Sequence, residues 1–253
     1  MKKNILITGA HSLIATPLRE KHYSDNLVLC SRTKIKNLSS SELWIKVENF
    51  DSYRFADDLM SSREFDIIYH LAEITNSKKI NKHNLISIHK SFLSYACKCS
   101  KLVIYPLTAY VYDDWKKKDP YTQVKLEIVR SFRNARGLYF PVIHPVIDSH
   151  FNLTKAIEIF EKYIPLNLFN KFNNGIYISS IKGISDNILP ETGDQIYDIY
   201  DKHVSFSNLL SSEDKPNSRL ISTIFYMIIK NVRISHNLKL INTGRKIDHA
   251  KIL

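Results

Sequence analysis

The chain has 253 residues, 44% hydrophobic and 24% charged, with a formal net charge of +11. These proportions are ordinary for a globular protein and exclude a disordered chain, a collagen and a disulfide-stapled miniprotein. Three cysteines, Cys30, Cys97 and Cys99, form no CxxC pair and imply neither a zinc site nor a disulfide framework, so a reducing, cytoplasmic setting is expected.

Along the chain, short apolar runs alternate with longer segments of helical spacing. Residues 4–8 form a continuous apolar strand, and residues 12–21 read as a helix with Pro17 in its first turns. Residues 26–31 and 43–47 are the second and third strands. Residues 53–62 carry Phe55, Ala56, Leu59 and Met60 at helical spacing, and residues 66–71 form a fourth strand. A long helix spans 81–99, with Leu85, Ile88, Phe92, Leu93 and Ala96 along one side. A fifth strand at 101–105, a helix at 120–136 stopped by Gly137 and a sixth strand at 138–143 continue the alternation. Strands that are apolar throughout are buried on both faces. The pattern therefore predicts an α/β fold on a doubly wound parallel sheet, with all strand C-termini along one edge, where ligands bind.

After Pro145 the pattern changes. A helix is expected at 153–163, an irregular stretch at 164–193, a strand at 195–200 that returns to the main sheet, and an apolar helix at 218–230. The expected organisation is a main domain over 1–148 and a small C-terminal lobe over 149–253, interleaved with the sheet. The longest apolar run, 220–229, contains Ser222 and Thr223 and falls well short of the roughly 20 residues that span a bilayer. Residues 8–12 interrupt the apolar start, and no small-residue cleavage site follows, so residues 4–8 read as a buried strand and not a signal peptide. From Lys215 onward eight Lys or Arg face one acid, Asp248, a net +7. Such a tail reads as a solvated basic face that leaves peripheral contact with an acidic membrane surface open. No RNA- or DNA-binding signature accompanies it, so no nucleic-acid partner is expected. The ten histidines show no HxxxH or HxH pattern, and no metal site is assigned.

The first strand runs into Thr8-Gly9-Ala10-His11-Ser12-Leu13-Ile14-Ala15. A turn that brings backbone N–H groups up to a pyrophosphate needs a tight bend and little bulk at the point of approach. Gly9 supplies the bend, while Ser12 and Ala15, both small, stand where glycines usually stand. Further on, Tyr121 and Lys125 are four residues apart and so share one helix face. An ammonium beside a phenol favours the phenolate, and a tyrosine tuned in this way exchanges a proton with a carbinol or ketone near neutral pH.

These pieces, in this order, resemble the extended short-chain dehydrogenase/reductase family of nucleotide-sugar epimerases, dehydratases and reductases. Thr8-Gly9-Ala10-x-Ser12-x-x-Ala15 is similar to its TGxxGxxG fingerprint. Phe50-Asp51 resembles the acidic position that contacts adenine, and Tyr69-His70-Leu71-Ala72 the "HLAA" strand end beside the cofactor. Asn84 falls at the family's helical Asn, Thr108-Ala109-Tyr110-Val111-Tyr112-Asp113 resembles "SSxxVYG", and Tyr121-Thr122-Gln123-Val124-Lys125 is the YxxxK pair. The likeness covers residues 3–148 well and the remainder faintly. Departures stand at Leu107, Asp113 and His144, and in the short segment between Asp113 and Tyr121.

The resemblance implies a Rossmann sheet with a C-terminal substrate lobe, and a cofactor cradled by Gly9, Ser12, Leu13, Ile14, Ser31, Arg32, Asp51, Leu71, Ala72 and Lys125. It implies a catalytic set of Thr108, Tyr121 and Lys125. The second strand ends in Cys30-Ser31-Arg32-Thr33-Lys34, with no carboxylate to repel a 2′-phosphate and with Ser31 and Arg32 to meet one, so NADP is expected over NAD. The expected substrate is a nucleotide-linked sugar and the expected reaction a 4-keto reduction in surface-polysaccharide synthesis. Ala109 and Tyr110 replace the Asp-Glu pair of the family's dehydratases, which disfavours elimination. Epimerisation, an NADP-binding regulatory or interaction role without turnover, and a homodimer are left open.

Overall fold

A computed structural model of the chain describes residues 2–47, 64–73, 81–113, 117, 119–144, 146, 175–191, 193–205 and 246–252. The expected helices at 53–62, 153–163 and 218–230, and Asp51, lie outside the described residues. The chain divides into two compact units, the first made of Met1–Ile143, Ile181–Ile199 and Asp248–Leu253.

The first unit is the parallel sheet and its helices. The elements are β1 (Asn4–Thr8), α1 (Ala15–Lys21), β2 (Asn26–Ser31), β3 (Glu42–Lys46), β4 (Phe65–His70), α2 (Lys82–Cys99), β5 (Ser100–Ile104), β6 (Leu107–Thr108), a 3-10 turn (Ala109–Tyr112), α3 (Pro120–Ser131) and β7 (Leu138–Ile143). β1 lies between β2 and β4, with Ile5 beside Leu27 on one side and Ile67 on the other. β3 extends the sheet beyond β2, and β5 then β7 extend it beyond β4, all parallel. β7 takes β6 at Val142 and Ile143, and a later strand along Phe140–Ile143. This is the expected doubly wound order, which reverses direction at β1. Ile5, Leu6, Ile7, Leu29, Ile68 and Phe140 are fully buried in the sheet, as strands covered on both faces require.

The helices follow from their apolar stripes and caps. α2 buries Leu85, Ile88, Phe92, Leu93 and Ala96, the side read from its spacing, and Asn81 caps it by accepting the Asn84 N–H. α3 opens with Pro120 behind an Asp119 cap and buries Val124, Leu126, Ile128 and Val129. Two ends differ from expectation. α1 begins at Ala15 and not at residue 12, because the Ser12 N–H closes a turn onto the Gly9 carbonyl. α3 ends at Ser131, five residues early: Asn134 takes φ +70°, and the Gln195 side chain donates to the Phe132 and Ala135 carbonyls and accepts the Asn134 N–H. A distant side chain thus supplies the partners that another helical turn would have supplied.

The stretch expected to be irregular contains β8 (Gly175–Ile178) and α4 (Ile181–Asn187). α4, in the first unit, holds Gly183 and Asn187, weak helix formers, and carries little periodic signal. Lys21 Nζ donates to the Ser185 and Asp186 carbonyls near its end, where a cation is favoured. β9 (Ile196–Ile199) is the expected strand returning to β7. The unit closes with a short 3-10 turn (His249–Lys251) that places His249 Nε2 2.6 Å from Asp198, which also accepts the Tyr112 hydroxyl, and buries Ile252 completely.

The second unit comprises His144–Ser180 and Tyr200–Ile247. Its described part is the antiparallel pair of β8 with β10 (Lys202–Ser205), and the rings of His144, Tyr200 and His203 lie against Tyr177. No helix among the described residues is long and apolar enough to cross a membrane.

Gly9 fixes the junction between β1 and α1. It has φ +67°, and a Cβ there would stand 2.6 Å from the Ala72 amide nitrogen and 2.7 Å from the Leu71 carbonyl carbon. Both the left-handed conformation and the backbone crossing exclude a side chain. Gly9→Ala is expected to destabilise the fold by about 1–3 kcal/mol or more, read as a lower urea midpoint. An unchanged midpoint would contradict the crossing.

Candidate active site at the carboxyl edge of the sheet

Parallel strands end on one edge, and the loops that leave them there carry most of the expected site residues. At β1, Gly9 turns sharply under Leu71 and Ala72, and the Thr8 carbonyl accepts the Leu71 N–H. The Thr8 hydroxyl oxygen accepts the Ala72 N–H at 3.3 Å. Beyond the turn, the Ser12 hydroxyl is buried without a hydrogen-bond partner, Leu13 is 62% exposed and Ile14 half-buried. An unpartnered buried hydroxyl costs free energy unless something meets it. Its place beside the Gly9 bend fits a phosphate group approaching the loop. His11, from the same loop, bonds the Thr33 carbonyl and ties this turn to the end of β2.

At the end of β2 the two residues expected at a 2′-phosphate separate. Arg32 is exposed, with Thr33 and Lys34 exposed beside it. Ser31 is buried, donates its hydroxyl proton to the Thr33 carbonyl at 2.7 Å and accepts the Trp44 indole N–H at 2.9 Å. Its proton is given to the turn that leads into Arg32. Asn84 is exposed in the first turn of α2.

The expected catalytic residues come from two neighbouring elements. Thr108 ends β6 and caps the 3-10 turn by accepting the Tyr110 N–H, which leaves its own O–H to donate. α3 packs against that turn and brings Tyr121 and Lys125 on its inner side. Tyr121 is half-buried. Lys125 is buried, donates to the Pro106 carbonyl at 2.8 Å and stands 3.9 Å above the Tyr105 ring and 5.7 Å from the centre of the Tyr121 ring. Pro106 lies two residues before Thr108, so this ammonium fastens the helix to the catalytic loop.

Lys125 also forms a buried ion pair with Glu73, which follows Ala72 at the end of β4. Sequence reasoning did not single out Glu73. Its signal was a carboxylate directly after an apolar strand, where the resembled "HLAA" ends in alanine. The pair changes the electrostatics expected at Tyr121. Burial pushes the phenol above its ordinary range, and the charge of Glu73 pushes it the same way. Lys125 was expected to lower it, but its charge is matched by Glu73 within contact distance. Tyr121 therefore stays a neutral phenol near pH 7. The Lys125 ammonium is itself drawn down by burial and sustained by Glu73, while Glu73 is held below its ordinary value by Lys125 and His89 against burial. Among the described residues no group of three or more His, Cys, Asp or Glu could hold a metal ion.

No family model matches the sequence, and no curated protein matches it. Solved structures do match the fold. The Bordetella bronchiseptica enzyme WbmH, solved with NAD+, has a TM-score of 0.61 at 14% identity over 82% of this chain and 79% of its own. The UDP-glucose 4-epimerase of Thermotoga maritima, solved with UDP-glucose, has a TM-score of 0.58 at 17% identity over 82% of this chain and 81% of its own. A short-chain dehydrogenase of Burkholderia cenocepacia, solved with NADP, has a TM-score of 0.55 at 10% identity over 79% of this chain and 89% of its own. At these identities the likeness is one of fold: the chain has a Rossmann-like α/β architecture, which these solved structures share.

Proposed function

We propose that the chain binds NADP(H) along the carboxyl edge of its sheet and reduces a keto group of a nucleotide-linked sugar. One observation carries this reading: α3 packs on the 3-10 turn that Thr108 caps and presents Tyr121 and Lys125 to that same sheet edge. The nicotinamide ring, when bound, supplies the hydride. Gly9, the unpartnered Ser12 hydroxyl, Leu13 and Ile14 would hold the pyrophosphate side, Leu71 and Ala72 the floor beside it, and Lys125 the ribose. Arg32, exposed and without a carboxylate neighbour on its strand end, would meet the 2′-phosphate.

Carbonyl reduction needs a proton for the oxygen as it gains charge. Tyr121 holds that proton at neutral pH because burial and Glu73 keep the phenol protonated. Thr108 has its O–H free to steer the substrate oxygen, since its oxygen serves the Tyr110 N–H. A neutral phenol suits proton donation better than proton abstraction, which favours reduction over alcohol oxidation. Epimerisation, the activity of the Thermotoga neighbour, uses both directions at one tyrosine and is the second reading.

Binding titrations are expected to show tighter NADPH than NADH, with Arg32→Ala narrowing the difference. Equal affinities in the unaltered protein would refute the 2′-phosphate assignment. Tyr121→Phe keeps the ring and removes the proton, so NADPH binding should survive while turnover of a 4-keto nucleotide sugar falls by roughly 10² to 10⁴. Because the phenol lies above its ordinary range, the reductive rate should hold level through alkaline pH and fall only where that proton is lost. A fall beginning near neutrality that Tyr121→Phe abolishes would contradict the electrostatics described above.

A further inference from the structure

Behind the Tyr121–Lys125 face, a line of buried polar groups crosses three elements. Glu73, from the end of β4, pairs through Oε2 with Lys125, and its Oε1 stands 3.6 Å from His89 Nε2 on α2. His89 Nδ1 lies 2.9 Å from His70 Nε2 at the end of β4, and His70 Nδ1 lies 2.8 Å from the Thr8 hydroxyl, one residue before Gly9. The Thr8 oxygen already accepts the Ala72 N–H. One set of proton positions serves its two hydrogen bonds, Thr8 O–H to His70 Nδ1 and His70 Nε2–H to His89 Nδ1, and leaves His89 Nε2–H facing Glu73 Oε1 across 3.6 Å, without a hydrogen bond between them. His70 is then neutral. Burial, with the Lys125 charge nearby, holds His70 well below its ordinary range, which agrees. A carboxylate is the only charge in the line that can match Lys125.

Lys125 has three N–H donors. Glu73 takes one and the Pro106 carbonyl another. The third has no hydrogen-bond partner among the described residues. The groups that face the ammonium are Glu73 and His70 from the end of β4, His89 from α2, the Tyr105 ring after β5, and Tyr121 on its own helix. Of these only Glu73 opposes its positive charge as an ion.

We propose that Glu73 is a positioning residue that keeps Lys125 a fixed ammonium, commits two of its directions together with Pro106 and leaves one N–H for the cofactor ribose. The ribose part rests on the function proposed above; the ion-pair part does not. Without Glu73, a lysine buried as this one is loses its proton far below its ordinary range, by up to about 3–5 pH units. It would then enter the site neutral, with one donor fewer and no positive charge. The resembled strand end carries alanine at this place, so Glu73 is a feature of this chain's own sequence.

The test follows the Lys125 side chain directly, without cofactor. Lysine 13Cε resonances are titrated in the whole chain, with Lys125 identified by its loss in Lys125→Met. In the unaltered protein Lys125 should remain charged through pH 9 despite its burial. In Glu73→Gln its midpoint should fall by roughly two pH units or more, and Glu73→Asp should restore most of the change. In parallel, NADPH affinity should vary little between pH 6 and 9 in the unaltered protein and Glu73→Asp. In Glu73→Gln it should fall about tenfold over that range. A Lys125 that is neutral at pH 8 in the unaltered protein overturns the proposal. So does a Glu73→Gln midpoint within about half a unit of the unaltered one, or an unaltered pH profile of NADPH binding in Glu73→Gln. If Glu73→Gln fails to fold, the unaltered protein and Glu73→Asp still decide it. If no protein in the set binds NADPH or NADH at any pH, the functional reading falls, and the resonance titration still decides the role of Glu73.

Discussion

An ammonium and a carboxylate can both leave water only if they meet, and Lys125 and Glu73 meet where three parts of the sheet edge converge. Lys125 comes from α3, Glu73 from the end of β4, and the Pro106 carbonyl from the link between β5 and β6. Breaking such a pair from one side would leave a buried charge without a partner, typically a loss of about 3–5 kcal/mol. The fold is thereby obliged to keep α3 on the loop that carries Thr108. A hydrophobic pair of similar volume would hold those elements as well or better. That the chain keeps two ions there is what points to chemistry at this edge.

The same line of groups reaches the other half of the site. Glu73 follows Ala72, whose backbone crosses Gly9 too closely for any side chain, and the His89–His70–Thr8 chain returns to the residue before Gly9. The turn that would take a pyrophosphate and the helix that would take the ribose are therefore built on one short stretch, Thr8–Gly9 against His70–Glu73. Arg32 reaches this edge separately, through the His11 contact that ties the turn to the end of β2.

Much of the architecture was legible in the sequence, because the strands of a parallel sheet are apolar on both faces and α2 shows its buried side at clean helical spacing. Gly9, Thr108, Tyr121 and Lys125 were legible for a related reason: each stands at a strand end or at a fixed spacing on a helix face. What escaped were features decided by distant partners. α3 stops early because Gln195, about sixty residues away, takes the Phe132 and Ala135 carbonyls just past its end. α4 forms from weak helix formers with Lys21 closing its end. Ser31 turns inward because Trp44 and the Thr33 carbonyl claim its hydroxyl. Glu73 was invisible because a carboxylate after a strand reads as a solvated loop residue until its lysine, 52 positions on, is brought beside it. The phenol at Tyr121 went the opposite way from the expectation because it is buried and because Glu73 stands beside it.

A crystal structure of the chain with NADPH is the most direct measurement. The dinucleotide is expected along the carboxyl edge, with its pyrophosphate over the Gly9–Ser12 turn, Arg32 at the 2′-phosphate, and Lys125 reaching the ribose while it remains on Glu73 and Pro106. A dinucleotide bound away from that edge, or a Lys125 that leaves Glu73 to reach it, would contradict this placement.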